Sequence, residues 1–185
     1  MDKVNKELMR QIIEGNAGKD DVREMLKMQP KDPERFWTYI EVLQEKVSWD
    51  DPILLRLTDN LYVVRNAKKE RVVKCNCGEE LGDYRANWKT ACNVRVRETL
   101  EEIKEVYYSE SACPDPDWNE IREFYCPGCF TQVGVEVVPP GYPFIFEFLP
   151  DLDRFYRDFL GRPLEDESDD WYQNNTPEKV ASWEK

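Results

Sequence analysis

No histidine occurs among the 185 residues of this chain. That absence removes the usual general base near neutral pH and the commonest metal ligand. A Ser-His or Cys-His nucleophile cannot be assembled from these residues, so any catalysis would rest on carboxylates, Lys, Tyr or a metal. Positive charge is also scarce: 26 Lys and Arg stand against 38 Asp and Glu, a formal net charge of −12. Nucleic-acid binding needs clustered Lys and Arg that release counterions from phosphates, so that class of partner is excluded. Acidity of this size reads as solubility, with steering of a basic partner as the alternative. No apolar run approaches the ~20 residues of a bilayer span. Met1 to Lys6 lack the apolar stretch of a secretory signal, so a bacterial-type cytoplasmic location is expected. Also missing are a Gly-rich phosphate loop, a basic–aromatic groove and any internal repeat.

What remains is a chain with the means to build a core. Hydrophobic residues make up 41%, including 6 Trp, 9 Tyr and 8 Phe. The length fits one domain, or one core with appended segments. The N-terminal third reads as helical. Val4, Leu8 and Ile12 recur four apart over residues 4–14, which stop near Gly15 and Gly18. Residues 20–28, with Val22, Met25 and Leu26, suit a short second helix. Asp32 is a good N-cap, and Pro33 suits the first position of a third helix. Its stripe is Phe36, Ile40, Leu43 and Val47.

The period then shortens. Residues 53–57, 61–65 and 71–75 read as strands, with turns at 58–60 and 66–69. Val94 and Val96 alternate with Arg95 and Arg97 as a half-buried strand. Thr99 and Glu102 form a capping-box pattern before Ile103, Val106 and Tyr107. Val133, Val135 and Val137 alternate again, and Pro139 to Pro143 form a rigid loop. A last helix over 151–160 presents Leu152, Phe155 or Tyr156, and Phe159, and ends at Gly161 and Pro163. The fold class is α+β: a helical N-terminal segment (1–48), an antiparallel β zinc-ribbon-like core with a short C-terminal helix (49–164), and a polar tail (165–185). That tail holds seven acidic and two basic residues, net −5. It is expected to be extended or disordered until a partner orders it, with Trp171 and Trp183 as anchors.

Six cysteines are present, and four form tight pairs, Cys75-Asn76-Cys77-Gly78 and Cys126-Pro127-Gly128-Cys129. One residue between Cys75 and Cys77 puts both side chains on one face of an extended strand. Two residues between Cys126 and Cys129, one of them Gly, let the backbone turn both sulfurs toward one point. Two such arms predict a closed tetrahedral site of four cysteines, with Zn–S distances of about 2.3 Å. Disulfides do not fit a chain lacking a secretory signal. A redox dithiol at 126–129 would normally open a helix, whereas Thr131 to Val138 has a strand pattern. An iron–sulfur cluster is an alternative that four thiolates leave open. Four thiolates fill every zinc position, so the expected role is structural and no catalytic residue is assigned. Cys92 and Cys113 lack paired spacing and read as buried or incidental thiols. The clusters Asp50-Asp51, Asp115-Pro116-Asp117 and Asp166 to Asp170 lack the order of a calcium loop and read as turn residues or solvated charge. Trp118, Phe124 and Tyr125 suit a binding surface or, more commonly at strand spacing, a core.

Longer words in the sequence resemble a known family. They run from Pro30-Lys31-Asp32-Pro33-Glu34-Arg35-Phe36 through Trp49-Asp50-Asp51, Asn87-Trp88-Lys89 and Val94-Arg95-Val96-Arg97. They close with Ile121-Arg122-Glu123-Phe124-Tyr125-Cys126-Pro127, Tyr142-Pro143 and Pro150-Asp151. Over about residues 29–164 the chain resembles the gamma subunit of acetone carboxylase. The resemblance implies a bacterial heterohexamer of three subunit types in two copies each. Large alpha and beta subunits would carry ATP and Mn2+ and convert acetone and bicarbonate to acetoacetate. It further implies that this chain holds structural Zn2+ on Cys75, Cys77, Cys126 and Cys129, with catalytic residues in the other chains. Related complexes act on other ketones, including aromatic ones, and the tail after Leu164 extends beyond the family pattern. The alternatives are a carboxylase of another ketone, of butanone or acetophenone type, or a free-standing zinc-ribbon protein-interaction module.

Overall fold

The computed structural model describes residues 3–169 and 172–184. Asn5 opens α1 (Lys6–Ile13) by accepting the Leu8 amide at 2.8 Å, and Gly15, at φ +74, turns the chain out of it. After α2 (Lys19–Lys27) comes α3 (Arg35–Lys46). Val42 of α3 packs with Val4, Leu8, Met9 and Met28, whereas Leu43 joins Ile53, Tyr62, Val64 and Val72. Successive helical residues point ~100° apart, so α3 serves two cores at once. Two expectations are corrected here. Leu26 is exposed, leaving Met25 as the residue α2 packs against this cluster. Asp32 lies before the first turn of α3 and does not cap it. Its buried carboxylate accepts the amides of Val4 (2.9 Å) and Glu34 (3.0 Å), tying the chain's start to the entry of α3.

The first sheet has the order β1 (Ile53–Arg56), β2 (Leu61–Arg65), β3 (Arg71–Cys75), β4 (Glu80–Asp83), all antiparallel. The unbroken apolar run Leu61 to Val64 suits a strand covered on both faces. Leu61 and Val63 enter the central core, and Tyr62 and Val64 meet α3. At the β2–β3 turn the Asn66 side chain accepts the amides of Lys68 and Glu70, both at 3.0 Å.

The second sheet, β5 (Asn93–Arg97), β6 (Glu120–Tyr125) and β7 (Gln132–Val138), is also antiparallel. Its polarity departs from the alternation read in the sequence. Val94, Val135 and Val137 are exposed, while Arg97, Glu120, Arg122, Glu123 and Glu136 are buried. Burial of charge is tolerable only with partners. On one face, Arg97 donates to Glu123 (2.8 Å) and to the Glu102 carbonyl (2.8 Å). The latter lies in α4 (Leu100–Lys104), opened by the Thr99–Glu102 capping box; α4 buries Ile103 and ends before the exposed Val106. On the other face, Lys89, from the 3-10 turn Trp88–Ala91, donates to Glu136 (2.5 Å), to the Ile145 carbonyl (2.9 Å) and to Glu147.

The central core lies between the two sheets: Leu61, Val63, Val73 and Leu81 from the first, Phe124 and Val133 from the second, with Leu152 and Tyr156 from the C-terminal helix. That helix, α5 (Leu152–Arg154), widens into a π turn over Phe155–Phe159, closed by the Leu160 amide on the Phe155 carbonyl at 3.1 Å. The extra residue in the turn rotates Phe159 off the packed face and leaves it 74% exposed, against expectation.

The tail also departs from the expected extended or disordered segment. Asp166 accepts from Arg65 (2.5 Å) and Arg71 (3.2 Å). Further on, the Asn175 amide donates to the Arg85 carbonyl at 2.9 Å, and α6 (Thr176–Ala181) follows. Lys179 of α6 reaches the Leu81 carbonyl of β4 at 3.2 Å. Residues 172–184 thus strap onto the free edge of the first sheet. Trp171 and Asp170 lie outside the described residues.

Candidate metal centre

Each sheet contributes one hairpin turn to the same spot. Cys75 ends β3 and Cys77 lies in the β3–β4 turn; Cys126 and Cys129 lie in the β6–β7 turn. The first turn is held by the Gly78 amide on the Cys75 carbonyl and the Cys75 amide on the Glu79 carbonyl, both 2.9 Å. Gly78 adopts φ +99, which L side chains rarely adopt. Asn76, between the two cysteines, is clamped from outside. Its carbonyl accepts Trp49 Nε1 (3.1 Å), and its side-chain oxygen accepts the Tyr62 hydroxyl (2.8 Å). The second turn repeats the plan: the Cys126 amide donates to the Thr131 carbonyl and the Phe130 amide to the Cys126 carbonyl, again at 2.9 Å. Phe130, following the second cysteine as Gly78 does, adopts φ +58. The two turns are in close approach, because a Cβ on Gly128 would come within 2.9 Å of Glu79.

The four sulfurs all lie within 4.8 Å of one another, with Cys75 to Cys129 at 3.9 Å and Cys77 to Cys126 at 3.6 Å. Both separations are far beyond a disulfide bond. A tetrahedron with metal–sulfur bonds of about 2.3 Å has edges of ~3.8 Å, so the donor set fits a zinc-sized thiophilic ion. Cys75 and Cys126 are buried, Cys77 and Cys129 exposed, so the centre sits at the rim of the core. Burial pushes the Cys75 and Cys77 thiols above their ordinary range. The hydroxyl and amide of Thr131 draw Cys129 down to about 6. Four thiolates this close repel one another, and a divalent cation among them is the charge that makes the cluster compatible with ionisation.

The other candidates separate from this centre. Burial lifts Cys92 to about 12, and Cys113 contacts the Ser109 carbonyl at 3.6 Å; neither belongs to the four-sulfur cluster. Asp51 pairs with Lys74, Asp166 with Arg65 and Arg71, and Asp115 accepts the Asp117 amide in a turn (3.0 Å). Among the aromatics, Phe124 is core and Trp118 is 74% exposed. A hollow of about 600 Å3 between β3, β4 and the tail is lined by Arg71, Asp83, Arg85 and Asp166. Their charges are spent on one another, and the cysteines lie elsewhere. Sequence reasoning missed Phe130 and Thr131. Nothing in a Phe signals a left-handed turn; the offset parallel with Gly78, one place after the second cysteine of each pair, was the available clue.

The acetone carboxylase gamma subunit family profile matches residues 47–160, a span that includes all four cysteines. The chain is 42% identical over 159 residues to the acetone carboxylase gamma subunit of Xanthobacter autotrophicus, covering 85% of this chain and 94% of that protein. The chain belongs to the acetone carboxylase gamma subunit family. A further relative is the acetophenone carboxylase beta subunit of Aromatoleum aromaticum, 39% identical over 79 residues, or 42% of this chain and 61% of that protein. As a member of the gamma subunit family, the chain carries its cysteine cluster at the junction of two sheets. Among the described residues, no helix is long and apolar enough to cross a membrane.

Proposed function

We propose that this chain is the non-catalytic, zinc-bearing structural subunit of a cytoplasmic ATP-dependent acetone carboxylase, a carbon–carbon bond-forming ligase that converts acetone and bicarbonate to acetoacetate. It works in a heterohexamer whose large alpha and beta subunits hold ATP and Mn2+. Residues 1–48 and 165–185 are appendages to a ribbon domain spanning 49–164. The observation that carries the reading is the four-cysteine cluster on two facing hairpin turns. Cys75, Cys77, Cys126 and Cys129 would hold the ion, which supplies cross-linking and no open position for substrate. Total absence of histidine supports the same conclusion, since the commonest proton-transfer group is missing. The acetophenone carboxylase relative favours a second reading, in which the complex acts on another ketone.

Native mass spectrometry of the tagged chain, drawn from its own host, tests this reading. The expected result is a complex with two larger chains, one zinc per copy of this chain, and ketone-dependent ATP turnover in the complex alone. A lone monomer free of metal, or one that consumes a ketone unaided, overturns it.

A further inference from the structure

β7 is the last strand of its sheet, and among the described residues no backbone bonds to its outer edge. It is seven residues long, with Val135 and Val137 51% and 49% exposed. Native proteins usually shorten, charge or cover such an edge, because its open amides and carbonyls accept another strand. Here the edge borders a groove. Two adjoining hollows, of about 250 and about 270 Å3, share Thr58, Val133, Gly134 and Val135. The first reaches inward to Trp88 and Val63, both buried, and is walled by Phe146 and by Phe148, which is 52% exposed. At this volume it falls below the ~300–1,000 Å3 of small-molecule sites and suits a single large side chain.

The groove's far wall meets the core through Phe144, edge-on to Phe124 at 5.1 Å, and through Leu149, but leaves Ile145 and Phe148 exposed. Segment 143–149 has no backbone–backbone bond among the described residues. It is held by side chains: Asn87 donates to the Phe144 carbonyl (3.3 Å), the Ile145 amide donates to Glu136 (3.0 Å), and Lys89 binds the Ile145 carbonyl. A lysine only 1% exposed is thereby spent on holding an apolar strip at the surface.

The chain has no spare described segment to fill the groove. Val4 is anchored on Asp32, and the C-terminal residues 175–179 are strapped to the first sheet. A second copy is disfavoured by charge, since each carries −12. We infer that an extended apolar segment of a larger carboxylase subunit adds as a strand to the outer edge of β7 and places one leucine- or aromatic-sized side chain in the hollow beside Phe148. This rests on the reading of the chain as a carboxylase subunit.

The test uses the full chain co-expressed with the large subunits of its own host. Val135→Asp with Phe148→Asp replaces two exposed residues at the groove, and zinc content and circular dichroism report whether the variant folds. Folded variant chains should retain at least about tenfold less large subunit than the wild type. In parallel, hydrogen exchange on the wild-type chain, free and in complex, should show new protection at 132–138 and 144–149. That second measurement decides the matter if the variant misfolds. A wild-type complex that leaves both stretches unprotected, or a folded variant that assembles normally, overturns the groove assignment alone. Wild-type chain that captures no large subunit overturns the underlying reading with it. A free chain that dimerises through this edge assigns the groove to a second copy and overturns the inference.

Discussion

The two sheets end in the same device, a cysteine-bearing hairpin turn, and differ in how much charge they bury: Lys74 in the strands of the first, against Arg97, Glu120, Arg122, Glu123 and Glu136 in the second. The four-stranded sheet buries Leu61, Tyr62, Val63 and Val64 in succession, using both faces for apolar packing. The three-stranded sheet buries Arg97, Arg122, Glu123 and Glu136 and turns Val135 and Val137 outward. Burial of an apolar side chain contributes about 1.5–3 kcal/mol, whereas buried ion pairs commonly break even against desolvation. The first sheet is therefore the stabilising half. The second sets its buried charges against a smaller apolar set, Ile121, Phe124, Val133 and Val138, and shares its core with the first.

Breaking the charge network should give the largest effect of a single side chain outside the metal centre. Lys89→Met takes from buried Glu136 its hydrogen-bonded cation and leaves only Arg122, at 3.8 Å; breaking a buried pair in this way costs about 3–5 kcal/mol. Urea unfolding measures it. Adding Glu136→Leu to the same chain should recover most of the loss, because the desolvated charge goes too. If the double variant is no better than the single, the network stabilises in its own right and the contrast between the sheets fails. The first sheet should show ordinary cavity behaviour: Leu61→Ala costs about 3 kcal/mol, with no second substitution able to restore it so simply.

The smallest effect is local and depends on pH. Burial acts to raise both Asp83 and Asp166, but Arg85 beside the first and Arg71 and Arg65 beside the second outweigh it, so both lie below the usual carboxylate range. A depressed folded value contributes stability above the unfolded value of about 3.9 and loses it as pH falls through the folded one. Asp83 also accepts Asn175 of the tail at 3.2 Å. Hydrogen exchange of residues 172–184 should thus quicken below about pH 4, before either sheet opens. Tail and sheets releasing together would contradict that order.

Much of this was legible in the sequence, and unevenly so. Three strands of the first sheet, the capping box of α4 and the cysteine pairs follow from local signals that tertiary context did not override, whereas β4 carries no such signal. The second sheet misled, because alternating Val and charge predicts Val inward, and only the distant Lys89 and Glu102 explain why Glu136 and Arg97 turn in instead. Polar composition likewise hid the tail strap, two of whose bonds go to backbone carbonyls of Arg85 and Leu81, groups no side-chain pattern reveals. Phe159 was misplaced by one residue of π widening.

The central claim is that a thiophilic ion joins the two sheets through Cys75, Cys77, Cys126 and Cys129. Its most direct test is metal content together with hydrogen exchange, before and after chelation, on Cys126→Ser and the unaltered chain. The unaltered chain should hold one zinc. On losing it, β3–β4 and β6–β7 should lose protection together, since a structural zinc contributes on the order of 10 kcal/mol. Protection that survives complete removal of metal, with both hairpins as slow to exchange as before, would contradict the account.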